Sequence, residues 1–442
     1  MTDTTKRSPK AARRPWRELI LSYPAMLVLG FASGLPLMMV FSKLSFWLRE
    51  VGVDRSTIGF FYWVGLAYTF KFLWAPVVDR LQIPVLHKLL GRRRSWMFVA
   101  LIGTAIGLLV IGFSDPTQGL MMTLAGAFIL AYSGATLDIS VDAWRIESAP
   151  NREQAGMAAT YILGYRFAIM FAGVGLVIAD NTSWKVSYGI MALVMLAIGG
   201  LLFKIREPQR AIEETKQSLK SWSAQFASNV SEPFLAIVQR LGVWTLPVFG
   251  LVAIYRLSDF TMGVMASPLY ADLGYTKTEV GTITGLIAPW LIVLGGFAGG
   301  GLTLWAGLMR ALLVGAVVTV LTNGAFAWLA MQGTAETWRL LIVVGSDNFA
   351  AGFVGAAFIA YLSALTDPAN AATQYAVFSS LYAFFCKFLA GFSGVLADAI
   401  GYVNFFLVTA SYGLPAAILV IWIMLRGSPE ARGVQSGSMP DA

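Results

Sequence analysis

Three charged side chains interrupt one apolar stretch of the chain with the spacing of a single helical face. Asp138, Asp142 and Arg145 lie at i, i+4 and i+7, so a helix would place them along one stripe. Two carboxylates on one stripe in apolar surroundings cannot easily both stay charged, and one can therefore bind a proton near neutral pH. Arg166, in the next apolar stretch, is a candidate counter-ion. The pattern indicates either a proton-coupling device built from Asp138, Asp142 and Arg166 or a static ion network. Both readings remain open at Asp138, whereas the static network is favoured at Asp142 and Arg145, which lie nearer the helix end.

Four more charged residues fall inside apolar stretches of the second half of the chain. Arg256 and Asp259 are at i, i+3, so they can pair within one helix, or Arg256 can bind an anionic group of a substrate. Lys387 has no partner close by in sequence, and Asp347 is the nearest candidate of opposite charge. A lysine that faced a central cavity would suit a substrate that carries carboxylates.

Lysines and aromatic residues could add to such a cavity. Lys71 could present a second cation, whereas Lys43 lies near the end of its apolar stretch and is expected to extend to a membrane interface. Aromatic residues make up 13% of the chain. For any single one, packing or a position at the interface is favoured over a role at a site. Those that could stack on sugar rings are Tyr62, Trp63, Tyr68, Tyr161, Tyr165, Tyr255, Trp290, Tyr361 and Tyr375.

The scarcity of cysteine and histidine excludes several kinds of chemistry. Cys386 is the single cysteine and His87 the single histidine, which rules out an intrachain disulfide and a cysteine-based or multi-histidine metal site. The sequence contains no glycine-rich phosphate-binding loop and no serine or cysteine nucleophile motif. It therefore predicts a protein that is not an enzyme, with no metal site, no catalytic residues and no ATP-driven pump within this chain.

The composition of the 442 residues is that of a membrane protein. The chain is 57% hydrophobic and 13% charged, whereas soluble domains carry about 25% charged residues. The net charge of +8 comes from basic residues that flank apolar stretches, which argues against nucleic acid as a partner. The sequence predicts an all-α membrane protein, because a bilayer span needs about 20 apolar residues. Its twelve transmembrane helices are predicted at 24–48, 57–80, 95–113, 119–147, 155–179, 184–204, 241–270, 278–305, 308–331, 337–364, 371–398 and 402–425.

The distribution of lysine and arginine predicts the orientation of these helices. The N-terminal segment and the even-numbered loops are rich in basic residues, so both termini are predicted to be cytoplasmic. In the longest polar segment, Leu219, Trp222 and Phe226 recur at helical spacing, which predicts an amphipathic helix on the membrane surface. The predicted organisation is a basic tail 1–23, a six-helix bundle 24–206, a linker 207–240, a second six-helix bundle 241–426 and a flexible tail 427–442.

A faint internal repeat relates the two bundles. Residues 52–59 precede the second span and residues 274–281 precede the eighth, and both read as a polar turn, an N-cap and a glycine one turn into the helix. Two six-helix halves in parallel repeat describe the major facilitator architecture. A loop after the second span also resembles the pattern of that superfamily. The residues expected to act there in the conformational change are Asp79, Arg80, Arg92, Arg93 and Arg94.

Several motifs together resemble the AmpG muropeptide permeases of the major facilitator superfamily. The resemblance covers essentially all the spans. It is carried by residues 29–37 (LGFASGLPL), 70–76 (FKFLWAP), 91–96 (GRRRSW), 138–144 (DISVDAW), 163–166 (LGYR), 255–259 (YRLSD) and 372–376 (ATQYA).

The resemblance implies import across the bacterial inner membrane. The implied substrates are anhydro-muropeptides, that is GlcNAc-anhydroMurNAc with or without peptide. They are taken from periplasm to cytoplasm at the expense of the proton gradient for peptidoglycan recycling. In many bacteria this flux controls β-lactamase induction and thereby antibiotic resistance. The implied protein is a monomer in the bilayer without a cofactor. The residues expected to contact substrate are Tyr68, Lys71, Tyr165, Arg256, Asp259, Asp347, Gln374 and Lys387.

Two alternatives to muropeptide import stay open at the level of sequence. One is a major facilitator carrier for another anion, such as acetyl-CoA, or for a short peptide. The other is a membrane assembly factor on the same fold, which would not transport and would not need a titrating carboxylate inside the cavity.

Overall fold

A computed structural model describes residues 16–148, 153–208, 232–366 and 371–427, which form helices joined by short loops. The predicted amphipathic helix at Leu219, Trp222 and Phe226 lies outside these residues. So does most of the predicted C-terminal tail. The first helix begins at Trp16, within the predicted N-terminal tail 1–23, and its membrane-spanning part begins at Ser22.

The described helices cover the positions of the twelve predicted spans, but not every one of them is a candidate span of full length. Among the described residues ten helical stretches are long and apolar enough to cross a membrane, and Val377–Ala390 is a shorter apolar helix. The predicted second span, 57–80, consists of short helical pieces and is not one of the ten. The helices are numbered along the chain as α1 16–50, α2 55–80, α3 Arg92–Phe113, α4 Met121–Ser148, α5 Gln154–Asn181, α6 Trp184–Leu201, α7 Ile237–Asp272, α8 Lys277–Ala306, α9 Leu308–Gln332, α10 Thr337–Ala364, α11 371–400 and α12 402–426.

Three of these helices differ from a single regular span. Helix α2 consists of short α-helical pieces separated by the 3-10 turns Tyr62–Gly65 and Lys71–Leu73. Helices α11 and α12 follow each other almost without a loop, and Gly401, with φ 74°, separates them. An irregular helix can persist at membrane depth when protein surrounds its free backbone groups.

Prolines accompany the local departures from α-helical geometry. Pro36 of α1 precedes the π segment Met39–Lys43, and Pro289 of α8 follows the π segment Ile283–Ile287. Pro76 lies at the start of the last piece of α2. Proline has no N–H to donate to the preceding turn, so such irregularity is expected next to it. Each break lies beside a residue of the sites described below.

The twelve helices of the described residues pack as two bundles in which equivalent helices are in contact. In the first bundle α1 packs on α5 and α3 on α4, and in the second α7 packs on α11 and α9 on α10. One apolar core continues from the first bundle into the second, since Leu48 and Ile58 belong to the same buried cluster as Leu269 and Val280. The two bundles are therefore tightly packed against each other at one end.

The internal repeat has a structural counterpart. Gly52 and Gly274 both have a positive φ, 87° and 83°. Asp54 and Thr276 are the N-caps of α2 and α8, and each side chain accepts a hydrogen bond from the backbone N–H three residues further on. The same turn therefore begins the second helix of each bundle.

Candidate functional site

Ion pairs join the two bundles at one end of the molecule, called the closed end below. Asp272 of α7 accepts a hydrogen bond from Arg49 Nε at 2.6 Å and lies 3.6 Å from Arg55 Nη2. Glu50 of α1 lies 2.5 Å from the Nζ of Lys277 in α8. Partly exposed pairs of this kind contribute about 0–1 kcal/mol each. Together they hold the first bundle against the second without a large energetic barrier to separation.

Two backbone contacts between the bundles lie next to these ion pairs. A Cβ atom added to Gly59 of α2 would lie 2.6 Å from the carbonyl oxygen of Gly391 in α11. A Cβ atom added to Gly281 of α8 would lie 2.6 Å from the carbonyl oxygen of Gly173 in α5. Gly59 and Gly281 are the same position of the internal repeat. The repeated glycine is thus explained by the close approach of helices from opposite bundles.

A cluster of charged side chains lies within the first bundle. The Nζ of Lys71 is 3.6 Å from Asp138 Oδ2 and 4.0 Å from Asp142 Oδ2. Asp142 Oδ1 is in turn 3.7 Å from Arg145 Nη2. The hydroxyl of Tyr161 donates a hydrogen bond to Asp138 Oδ1 at 3.4 Å. Because one lysine reaches both carboxylates, the predicted stripe on α4 exists.

The two carboxylates of this stripe have different surroundings. The side chain of Asp138 is 15% exposed and that of Asp142 is 47% exposed. Asp142 lies nearer the end of α4 that is opposite the closed end. The difference in exposure makes Asp138 the enclosed carboxylate and Asp142 the accessible one.

Arg166 does not pair with Asp138, contrary to the expectation from sequence. Lys71, in the 3-10 turn of α2, takes the place beside the carboxylate. No described carboxylate lies within ion-pair distance of Arg166, whose electrostatic neighbour is Tyr165. Arg166 follows Tyr161 by five residues, which is about 140° around a helix at 100° per residue. Tyr161 faces Asp138, so Arg166 points to another side of α5.

Lys387 of α11 crosses to the first bundle, and the pairing with Asp347 expected from sequence does not form. The Nζ of Lys387 donates a hydrogen bond to the backbone carbonyl of Gly65 at 3.3 Å and lies 5.8 Å from the ring centroid of Tyr68. It is also within electrostatic range of Lys71 and Asp138. Helix α11 packs on the irregular α2, whose 3-10 turns leave carbonyl groups available as acceptors. Lys71, Asp138, Asp142 and Lys387 are called the central cluster below. This cluster is therefore shared between the two bundles.

A second cluster lies in the second bundle. Arg256 Nη2 is 3.2 Å from Asp259 Oδ2, which is the i, i+3 pair that the sequence predicts. The guanidinium group also lies 5.5 Å from the ring centroid of Phe260. Asp347 of α10 is within electrostatic range of both charged groups. Arg256 therefore pairs with Asp259, and Asp347 belongs to this cluster through its electrostatic interaction with both groups.

The remaining polar residues expected at the site lie in different environments. The ring of Tyr165 lies against Gly34 of α1, where an added Cβ atom would be 3.0 Å from it. The hydroxyl of Tyr68 lies next to Gly134 of α4. Both tyrosines are within electrostatic range of Asp138. Gln374 is buried in α11. Tyr68 and Tyr165 therefore join the central cluster.

The end of the molecule opposite the closed end, called the basic end below, carries a dense ion network. Arg93 Nη1 is 2.6 Å from Asp79 Oδ1, and Arg93 Nη2 is 2.5 Å from Glu147 Oε1. Arg92 lies 3.5 Å from the same glutamate. Arg94 lies 3.5 Å from Glu207, a residue that follows α6. The predicted loop residues therefore tie α2, α3 and α4 to the end of α6, with the side chain of Arg80 outside the described part.

Sequence reasoning missed the two glutamates of this network. Glu147 lies in the last turn of α4. Glu207 accepts hydrogen bonds from the backbone N–H groups of Arg93 and Arg94 at the start of α3. A carboxylate at a helix N-terminus is favoured by the helix dipole. The sequence contained a signal for both glutamates, because acidic residues at the ends of apolar spans are candidate ion-pair partners for the basic residues of neighbouring loops.

We expect Arg93→Ala to destabilise the first bundle by about 1–3 kcal/mol, because two carboxylates would lose their buried partner. The side chain of Arg93 is 6% exposed, whereas Asp79 is half exposed, which keeps the effect below that of a fully buried pair. The thermal unfolding midpoint in detergent measures the change. Lys88→Ala, at an exposed lysine of the same loop, is the control. Equal midpoints for the two variants would contradict this expectation.

Comparison with known proteins identifies the class. The sequence profile of the Major Facilitator Superfamily matches residues 26–386. The solved structure of the nucleoside transporter NupG has a TM-score of 0.68 with 13% identity and covers 91% of this chain and 99% of that protein. A bacterial homologue of the lysosomal transporter Spinster has a TM-score of 0.66 and covers 98% of this chain. At such identities these likenesses show the fold alone.

Curated relatives are closer in sequence. The AmpG 4 protein of Rickettsia conorii is 31% identical over 402 residues, which cover 90% of this chain and 95% of the relative. The anhydromuropeptide permease of Escherichia coli K12 is 30% identical over 399 residues, which cover 90% of this chain and 78% of the permease. This chain belongs to the Major Facilitator Superfamily. It is a multi-pass membrane transporter for a small molecule, not an enzyme, and its relatives are of the AmpG type.

Proposed function

We propose that this chain imports anhydro-muropeptides from periplasm to cytoplasm across the bacterial inner membrane by proton-coupled alternating access, for peptidoglycan recycling. The observation that carries the proposal is similarity along 90% of the chain to the anhydromuropeptide permease of Escherichia coli. The proton gradient is the energy source, and the protein works as a monomer without a cofactor.

The central cluster suits such a substrate chemically. Anhydro-muropeptides present sugar hydroxyl groups, ring faces and carboxylates. Lys71 and Lys387 offer two ammonium groups from opposite bundles, and Tyr68 and Tyr165 offer aromatic rings beside them. A substrate held by Lys71 and Lys387 together is sensitive to the relative motion of the bundles, which alternating access requires.

Orientation follows from the positive-inside rule. The arginines of the basic end favour the cytoplasmic side, so the closed end faces the periplasm and both termini are cytoplasmic. In this conformation the periplasmic path is shut by the ion pairs of the closed end. The exposure of Asp142 supports an opening of the central cluster towards the cytoplasm.

Asp138 and Lys71 provide a coupling device in this proposal. Charged Asp138 holds Lys71 at 3.6 Å. A proton bound by Asp138 leaves Lys71 with only the more exposed Asp142 at 4.0 Å, so Lys71 can bind a carboxylate of the substrate. Loss of the proton to the cytoplasm restores the Lys71–Asp138 pair and displaces the substrate. Substrate and proton therefore move in the same direction.

Uptake of radiolabelled anhydro-muropeptide by proteoliposomes tests the proposal. Wild-type protein is expected to accumulate the substrate when the compartment on the substrate side is acidic, and to equilibrate it without a gradient. Unlabelled acetyl-CoA and a short peptide serve as competitors. Uptake of labelled acetyl-CoA by proteoliposomes that take up no muropeptide would replace muropeptide by that anion as the proposed substrate. Absence of uptake of every substrate by correctly inserted protein would favour a non-transporting role.

A further inference from the structure

Lys43 of α1 is an ammonium group buried between the bundles, and no carboxylate of the described residues lies beside it. Its residue is 4% exposed, and its Nζ donates one long hydrogen bond, 3.4 Å, to Thr284 Oγ1 of α8. Among the described residues no acidic group is within its electrostatic range. The expectation from sequence that Lys43 extends to a membrane interface is therefore wrong. The reason is that α7 and α8 cover this part of α1.

The contacts that cover Lys43 come from the second bundle. Its neighbour Ser42 hydrogen-bonds to Ser267 of α7 at 3.1 Å. Thr284 precedes Gly285, which touches the backbone of Gly173 across the bundle interface. Alternating access in this superfamily moves one bundle against the other. A separation of the bundles at the closed end would therefore uncover Lys43.

The position of Lys43 along α1 lies between the closed end and the central cluster. Glu50, which pairs with Lys277 at the closed end, is seven residues away, about 10 Å along a helix at 1.5 Å per residue. Ser33, which lies beside Asp138, is ten residues away in the other direction, about 15 Å. Anything that passes from the closed end to Asp138 must pass the level of Lys43.

Burial of an ammonium group without a counter-ion is costly, and a hydrophobic residue of similar volume would pack better in the conformation seen here. A single hydroxyl group at 3.4 Å does not compensate for the lost hydration. The lysine therefore requires a role in another conformation, in which an anion is present. The anion that enters through an opened closed end is the substrate itself.

We propose that Lys43 binds a carboxylate of the substrate when the closed end is open. This inference rests on the proposed function. In that conformation Lys43 is the first ammonium group below the separated ion pairs, and it attracts the anionic part of the substrate. Closure of the end removes water from Lys43, weakens this site and transfers the carboxylate to Lys71 and Lys387.

Uptake kinetics in right-side-out membrane vesicles test the proposal. Lys43→Met is expected to raise the KM for external anhydro-muropeptide about tenfold or more, the effect of one charge-assisted hydrogen bond, with little change in kcat. Lys43→Arg keeps the charge and is expected to retain most of the affinity. The control is Lys185→Met, at an exposed lysine on the same side of the membrane. When the carboxylates of the substrate are converted to methyl esters, the difference between wild type and Lys43→Met is expected to disappear.

The outcomes separate this inference from the proposed function. Wild-type uptake with an unchanged KM in Lys43→Met overturns the role of Lys43 and leaves muropeptide import intact. The same KM increase for the esterified substrate also overturns it, since it would reflect packing and not charge. Absence of uptake by the wild type overturns the proposed function.

Thiol labelling gives a second, independent readout. Cys386 is the single cysteine of the chain, so Cys386→Ala with Lys43→Cys places one thiol at the proposed site. A membrane-impermeant maleimide added outside is expected to label it slowly. Labelling becomes faster when Gly173→Val holds the bundles apart, and saturating muropeptide slows it again. A thiol that stays unlabelled in the Gly173→Val background shows that Lys43 is not uncovered from this side.

Discussion

Transport by the Asp138→Asn variant is expected to lose its response to the proton gradient while exchange of substrate across the membrane continues. Asparagine keeps the shape of the side chain but neither takes up nor releases a proton. Lys71, 3.6 Å from Asp138 Oδ2 in the wild type, then keeps only the more exposed Asp142, at 4.0 Å, and can bind substrate without a proton on Asp138. In the variant, the internal substrate concentration is expected to rise only to the external one. In the wild type, one proton per substrate would sustain a ratio of internal to external concentration of about tenfold for each pH unit, equivalent to about 1.4 kcal/mol.

Two assays on the same vesicles measure this effect. Gradient-driven uptake is compared with counterflow, in which unlabelled internal substrate exchanges for labelled external substrate. The matched control is Asp142→Asn on the same helical stripe, where the carboxylate is more exposed. We expect this control to retain most of its gradient response. Loss of counterflow as well as uptake in Asp138→Asn would show that Asp138 binds substrate or supports folding, and a response retained in full would exclude it from coupling.

The Gly173→Val variant is expected to fold but to be unable to shut the closed end. A Cβ atom at Gly173 would lie 2.5 Å from the Cα of Gly285 and 2.6 Å from the carbonyl oxygen of Gly281, and both belong to the opposite bundle. The first bundle can therefore form as before. Overpacking of this kind costs about 1–3 kcal/mol, and each 1.4 kcal/mol changes the ratio of closed to open molecules tenfold.

Transport rate and external accessibility report on this shift. Uptake is expected to fall at least about tenfold, because the transport cycle stops in the conformation in which the two bundles are separated at the closed end. Gly285→Val tests the same contact from the other side, with a Cβ atom 2.8 Å from the Cα of Gly173. The control is Gly189→Val in α6, where nothing lies within 4 Å of an added Cβ atom. Normal uptake by both Gly173→Val and Gly285→Val would mean that the bundles do not need this contact.

Interactions that are local in sequence could be predicted, and those that depend on irregular helices could not. The Arg256–Asp259 pair follows from i, i+3 spacing and forms at 3.2 Å. The sequence predicts Arg166 as the partner of Asp138, yet Lys71 lies beside this carboxylate. Helix α2 is interrupted by 3-10 turns, so a count at 100° per residue does not give the direction of Lys71. Likewise, Lys43 ends a π segment, which shifts the face it presents.

The sequence by itself determined most of the spans, the class of fold and the repeat. A lipid bilayer accepts only segments whose backbone polar groups are hydrogen-bonded within the protein. A run of about 20 apolar residues therefore folds as a membrane-spanning helix. Tertiary structure alone decided which charges far apart in sequence meet. Lys387 reaches the first bundle because α11 packs on α2, Lys43 is buried because α7 and α8 cover it, and Gly59 and Gly281 matter because helices of opposite bundles touch there. These contacts join residues far apart in sequence, and their geometry depends on how two bundles are docked, which no local spacing encodes.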